Sequence, residues 1–235
     1  MRARILVMMA AAAVLLSSCG INISGNQLLP SKERVRKVYK LDNFDQIETM
    51  TAINVVYLKS DTAKSVVLDV PENMEEYVSV EVKNNKLQVS FDGLHNINGN
   101  HKTTLYVSGY KVNKFETSSA GNIYIKGAIN YGGEVAMVTS SAGNVHVEAP
   151  VKAESLFLSA SSAGDVKVKS PVTVTVLYVN ASSAGNIKVH DVTALDVRAQ
   201  ASSAGDIKIS GTCRILKTDK SSAGDIDTKD LIVRE

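Results

Sequence analysis

Ser118-Ser119-Ala120-Gly121-Asn122-Ile123-Tyr124-Ile125 is the stretch that decides the fold, because its pattern returns five more times. The tetrapeptide Ser-Ser-Ala-Gly starts again at Ser140, Ser161, Ser182, Ser202 and Ser221, at spacings of 22, 21, 21, 20 and 19 residues. Each copy is followed by Asn or Asp and then by an alternating pair: Asn144-Val145-His146-Val147, Asp165-Val166-Lys167-Val168, Asn186-Ile187-Lys188-Val189, Asp206-Ile207-Lys208-Ile209 and Asp225-Ile226-Asp227-Thr228. Alternation with period two and β-branched residues describes a strand that buries one face. Self-similarity at this period is the signature of a repeat architecture.

The residues ahead of the motif alternate as well. Val135 and Met137, Leu156 and Leu158, Leu177 and Val179, and Val197 and Ala199 stand five and three positions before each Ser-Ser pair. Thr139, Ala160, Ala181 and Ala201 stand immediately before it. Each repeat is therefore a strand, a corner of small residues and a second strand, with Ser170-Pro171 and Ser210-Gly211 supplying further turns and a short third strand. One such coil cannot bury its apolar face alone, but coils stacked about 4.8 Å apart can. The columns Ile123, Val145, Val166, Ile187, Ile207, Ile226 and Ile125, Val147, Val168, Val189, Ile209 then form the core. The expected fold is all-β, a right-handed β-solenoid with coils of about twenty residues. Thr218, Lys220 and Thr228 replace inward apolar residues in the last coil and read as a cap against edge-to-edge pairing.

The corner calls for positive φ, which glycine adopts at least cost, and for an Asn or Asp that bonds nearby backbone. Stacking places these residues in a ladder of Asn122, Asn144, Asp165, Asn186, Asp206 and Asp225, where amides bond one another between coils. Asp206 and Asp225 are its only acidic neighbours, and they are the pair to examine for a shared cation.

Residues 37–112 are β-like with less regular spacing, and residues 113–235 carry the regular coils. The quoted elements of the first part are Asn43-Phe44-Asp45-Gln46-Ile47, Ile53-Asn54-Val55-Val56-Tyr57-Leu58, Val66-Val67-Leu68-Asp69-Val70 and Val80-Glu81-Val82-Lys83-Asn84-Asn85-Lys86-Leu87-Gln88-Val89. The last of these reads as two strands around an Asn-Asn turn. In this order, followed by Ser-Ser-Ala-Gly-Asn coils, they resemble the head GIN domain family, labelled auto-transporter adhesins and formerly a domain of unknown function. The resemblance covers about residues 37–235. It implies a β-helix-like fold and an envelope location, and it carries over no catalytic residue. The sequence shows no outer-membrane barrel, so self-secretion as an autotransporter is not supported.

Residues 1–18 read as a processing signal. Arg2 and Arg4 precede the uncharged apolar run Ile5 to Leu16, too short to span a bilayer core of roughly 30 Å. Leu16-Ser17-Ser18-Cys19-Gly20 resembles the bacterial lipobox, which implies cleavage before Cys19, its lipidation and a stable anchor in the membrane. Residues 19–36 read as a flexible tether. The stretch Gly20-Ile21-Asn22-Ile23 has no acidic pair, which leans the expected localisation towards the outer membrane facing the periplasm, without excluding surface display.

Removing residues 1–18 leaves 24 basic and 24 acidic residues, a balance that gives no reason to expect a nucleic-acid partner. With Cys19 committed to lipid, Cys213 has no disulfide partner and no metal-binding neighbour of its kind; a buried thiol is expected. His95, His101, His146 and His190 are too dispersed for a metal site, the first two flanking a polar loop and the others facing outward. No serine of the repeated pairs is singled out by a base, as a nucleophile would be. No catalytic residue, cofactor or metal is expected. The candidate ligand surface is the outward column Lys167, Lys188 and Lys208, extended by Lys169, facing an acidic glycan, lipid headgroup or protein of the envelope. Phe157 and Tyr178 are the only outward aromatic pair on adjacent coils. The expected function is a non-enzymatic envelope lipoprotein, an adhesin-like binding or structural module. The alternatives are a polysaccharide lyase or hydrolase, which would need carboxylates converging in a groove, and an accessory or stress sensor of the envelope.

Overall fold

The computed structural model describes residues 28–58, 61–93, 97 and 101–234. It is a stack of parallel coils with three faces. The first face holds the strand before each corner, the second the strand after it, and the third a short strand that closes the coil. On the second face, Asn122–Ile125, Asn144–Val147, Asp165–Val168, the start of Asn186–Ala201, Asp206–Cys213 and Asp225–Asp227 pair in parallel, residue for residue. On the first face, Lys114–Thr117, Glu134–Thr139, the later parts of Val151–Ala160, Val172–Ala181 and Asn186–Ala201, and Ile215–Lys220 do the same. The third face begins at Ile129–Asn130 and ends at Leu231–Val233.

Both inward columns expected on the second face are buried from Ile123 to Ile226 and from Ile125 to Ile209. Val135, Met137, Leu156, Leu158, Leu177, Val179, Val197 and Ala199 fill the core from the first face. Full burial of a Val, Leu or Ile side chain is worth about 1.5–3 kcal/mol, so a coil with several of them is held chiefly by its interior.

The corner differs from its expected form. The residues with positive φ are the second serine and the alanine, for example Ser162 at 50° and Ala163 at 63°, and not the glycine. Two successive left-handed residues give a tight turn of the type I′ kind, closed by a hydrogen bond from the glycine N–H to the first serine carbonyl, 2.9 Å for Gly164 and Ser161. The left-handed conformation costs a non-glycine residue roughly 1–2 kcal/mol. That cost is countered by hydrogen bonds worth about 0.5–1.5 kcal/mol each, because in the first five motif corners the alanine N–H also donates to the second serine of the next coil: Ala120 to Ser141, Ala142 to Ser162, Ala163 to Ser183, Ala184 to Ser203 and Ala204 to Ser222, at 3.0–3.1 Å. The glycine is needed for close approach. A Cβ on Gly185 would stand 2.4 Å from the Ala160 carbonyl oxygen, and one on Gly143 would stand 1.9 Å from Thr117 Oγ1.

A seventh corner precedes the six. Thr51 and Ala52 both have φ 57°, and Ala52 N–H donates to the Ser119 carbonyl at 3.1 Å. The coil that contains it, Gln46–Thr49 and Asn54–Tyr57, is out of sequence order in the stack. It lies between Lys86–Phe91 with Thr104–Ser108 on one side and Lys114–Thr117 with Asn122–Ile125 on the other. Charges clip the three coils together: Lys86 Nζ lies 2.6 Å from Glu116 and 3.3 Å from Glu48, and Lys114 Nζ lies 2.7 Å from Glu116.

The same end of the stack is closed by antiparallel strands, Val78–Lys83 on Lys86–Phe91 and Arg34–Tyr39 on Ser65–Pro71. The turn between the first two is Asn84-Asn85, both with positive φ. The 3-10 helix Glu72–Tyr77 buries Met74 over the end of the core, and Phe44 stacks on Tyr110 at 4.1 Å. Strand Arg34–Tyr39 starts inside the stretch read as a tether, and Ser31 and Leu29 are already bonded to Asn73. The edge strand at Ser65–Pro71 has an open side that captures this polar segment, so among the described residues no tether extends past residue 28.

Candidate functional site

The corner ladder is real and polarised. Asn122 Nδ2 donates to Asn54 Oδ1 at 2.8 Å, Asn144 Nδ2 to Asn122 Oδ1 at 2.8 Å, and Asn186 Nδ2 to Asp165 Oδ1 at 3.0 Å. Each amide points its donor at the preceding coil. An aspartate has no donor, so the ladder breaks after Asn144 and again after Asn186. Burial would raise the Asp165 pKa, but hydrogen bonds from Lys167 and Asn186 outweigh it and hold the carboxyl below its usual range. Asp206 and Asp225 are in register on adjacent coils. Lys220 Nζ sits 2.8 Å from Asp225 and, as its hydrogen-bond partner, lowers that carboxyl's pKa; an ammonium thus already serves this acid. Among the described residues no three His, Cys, Asp or Glu side chains converge as a metal site.

Lys167, Lys188 and Lys208 form the expected outward column in register. Its two ends are occupied by the protein's own acids. Lys167 pairs with Asp165 at 2.8 Å, and Lys208 with Asp227 at 3.2 Å and Asp230 at 3.6 Å. Exposed Lys188 is the member with no ion pair among the described residues. The column continues through His146, which stacks on Tyr124 at 5.1 Å and 14°. Phe157 and Tyr178 are thus not the only outward ring pair. Burial, then Lys167 and Lys169, push the His146 pKa down.

His190 is exposed, as expected. His101 is not solvated: it is half-buried edge-on against Phe91 at 5.0 Å, and burial followed by the Arg34 charge lowers its pKa. Phe91, the last residue of a strand at the antiparallel end, covers one side of the ring. Cys213 is buried, and burial together with Asp196 raises its thiol pKa. Cys19 and His95 lie outside the described residues.

A concavity lies on the first face. Phe157, Tyr178, Arg198 and Lys217 stand in register on four successive coils, with Ser159, Asn180, Gln200 and Asp219 beside them. Between the two columns lies a trough of about 390 Å³, within the size range of small-ligand sites. Arg198 is fixed at its rim. Its guanidinium lies 5.4 Å from the Tyr178 ring centre, and its Nε and Nη2 donate to Asp196 Oδ2 at 3.0 and 2.7 Å. Asp196 is 8% exposed, so the guanidinium is oriented from within. Gln200 Nε2 reaches Asp219 Oδ2 at 3.4 Å. The ring pair is legible in the sequence but the rest of the site is not, because its polar members follow no motif and converge only through register.

The family profile described as "Putative auto-transporter adhesin, head GIN domain" matches residues 43–170 and 154–235. Among solved structures, a "putative adhesin" of Bacteroides fragilis NCTC 9343 is 22% identical, with TM-score 0.73, covering 86% of this chain and 99% of that one. A "putative adhesin" of Parabacteroides distasonis ATCC 8503 is 17% identical, with TM-score 0.70 and coverages of 88% and 98%. A "putative lipid binding protein" of the same organism is also 17% identical, with TM-score 0.66 and coverages of 86% and 99%. Identities this low speak for the fold alone. Comparison with curated proteins gave no significant match.

Proposed function

Because the chain belongs to the head GIN domain family, we propose that it is a non-catalytic, adhesin-like binding module of the bacterial cell envelope, working through the outward columns of its solenoid. The observation that carries this reading is the register of the side faces. Repetition brings like positions of successive coils side by side, which suits an extended ligand, and Asp225, the acid in register with Asp206, is tied to Lys220. Anchoring through a lipid on Cys19 completes the proposal and would keep the module at the membrane. The lack of an acidic pair after Cys19 favours the outer membrane facing the periplasm, with surface display as the other placement.

The test is a binding screen of the exported protein, extracted in mild detergent, against envelope and host glycans, glycolipids and envelope proteins. A companion variant changes Lys167, Lys188 and Lys208 to glutamine. Salt-sensitive binding to acidic glycans that disappears in this variant would place the contact on the lysine column. Binding to no glycan, lipid or protein by a folded sample would sink the reading. For the anchor, metabolic labelling with an alkynyl fatty acid is expected on the wild type and absent from Cys19→Ser; label on both would refute lipidation at this residue.

A further inference from the structure

The trough on the first face carries its own chemical description. Two aromatic rings, Phe157 and Tyr178, are half-buried on adjacent coils and line the trough, and the negative charge of aromatic faces favours the C–H groups of a hydroxylated pyranose ring. Along the other side stand Asn180 and Gln200, which both donate and accept, and Asp219, which accepts only. Sugar hydroxyls need this mixture, because each donates once and accepts as well. Arg198 is pre-set by Asp196 and by the Tyr178 ring, so its remaining donors are offered without the ordering cost of a free side chain.

Charge selects between ligand classes. Arg198 and Lys217 are balanced by Asp196 and Asp219, so the trough has no net charge to recruit an anion. An extended peptide would dock by adding a strand to an open sheet edge, yet three of the four strands under the trough are already paired on both sides. The geometry points to this trough as the binding site for a neutral saccharide, its units laid across successive coils from Phe157 to Lys217. This assignment rests on the adhesin-like reading above and names the ligand class and the surface for it.

The test uses the exported protein and neutral pentasaccharides of glucose, mannose and N-acetylglucosamine, with hyaluronan fragments as the acidic comparison. Amide shifts in NMR and calorimetry are the readouts. Binding of a neutral pentasaccharide is expected, with shifts centred on residues 157–160, 178–180, 198–200 and 217–219 and little change between low and high salt. Phe157→Ala, Tyr178→Ala and Asp219→Asn should each weaken it at least about tenfold, as anchor residues do, and Lys152→Gln, exposed on the third face, should not. All three positions face outward, so thermal unfolding serves to show that the fold survives. Neutral-sugar binding that persists in all three variants would overturn the assignment while leaving the adhesin-like reading in place. Binding only to acidic sugars or to a protein would do the same. Absence of every ligand in the wider screen would remove both.

Discussion

Changing Gly185 to alanine tests the physical core of the repeat. The glycine has no positive φ, so alanine fits its backbone without strain, and any loss of stability must come from the methyl group itself. That methyl would stand 2.4 Å from the Ala160 carbonyl oxygen, 2.5 Å from its carbon and 2.8 Å from Ser161 N. All three are backbone atoms, and no rotamer moves them aside. Ordinary contact begins near 3.4 Å, so the two coils must part by about 1 Å at the corner. The hydrogen bonds Ser182 N–H to Ala160 O and Asn186 N–H to Gly164 O, both 2.9 Å, would stretch towards 4 Å and fail. Two lost hydrogen bonds at about 0.5–1.5 kcal/mol each, added to overpacking at about 1–3 kcal/mol, predict a destabilisation of roughly 2–6 kcal/mol. Urea unfolding followed by circular dichroism measures it, with Gly132→Ala as the control, since nothing lies within 4 Å of a Cβ there. A lesion between neighbouring coils should also release hydrogen-exchange protection on the C-terminal side first. If Gly185→Ala unfolds with the wild type, the corner accommodates the methyl group and the packing argument is wrong.

The converse change, Ala184→Gly, relieves a left-handed alanine at an exposed corner and should stabilise by up to about 1 kcal/mol after the entropy of the unfolded glycine is counted, visible as a raised thermal midpoint. Asn144→Asp removes the donor that reaches Asn122 and sets a carboxylate beside Asp165; a loss of about 1–2 kcal/mol is expected, larger at low salt, and an unchanged urea midpoint would deny the ladder its structural role. Burial acts to raise the Glu116 pKa, but Lys114 and Lys86 outweigh it and lower it below its ordinary 4.5. A carboxyl with a depressed folded-state pKa stabilises above its unfolded value and loses that contribution as pH falls through the folded one. Stability should therefore drop below about pH 4.5, and Glu116→Gln should flatten that part of the curve; an identical pH profile for the variant would count against the clip.

The coil, its inward columns and the Asn–Asp ladder were legible because each is a period-two or period-twenty signal repeated six times. Three features were hidden for physical reasons. Met50-Thr51-Ala52-Ile53-Asn54 makes the seventh corner without the motif: Thr51 and Ala52 take the left-handed positions, and Ile53 stands where later corners carry glycine. On that side of the corner the stack continues as Lys86–Phe91 and Thr104–Ser108, which carry no Ser-Ser-Ala-Gly corner between them. The order of the coils was hidden because residues 58–85 leave the stack and return on the far side of their own starting coil, a topology that no local pattern encodes. The glycine's role was misplaced because its need comes from the preceding coil, through Thr117, Thr139, Ala160, Ala181 and Ala201, and not from its own backbone.

The two halves of the stack differ in how they are held. The early coils interlock, since the segment Gln46–Tyr57 is clamped between two later ones and tied by Lys86, Glu116 and Lys114. The coils from Val151 onward touch only their immediate neighbours, which makes their stability a sum of local interfaces. The trough from Phe157 to Lys217 lies on four of these. A ligand that contacts all four binds only while they remain stacked, so its binding energy is added to the interfaces that have the least interlocking support. Exchange protection in residues 155–220 should therefore rise on ligand addition more than in residues 46–125, with the largest gain at Ile215–Lys220, where one side of the strand has no partner among the described residues. A uniform rise over the whole stack would mean that the coils unfold as one unit, and that the trough is not placed at the adaptable end of the molecule.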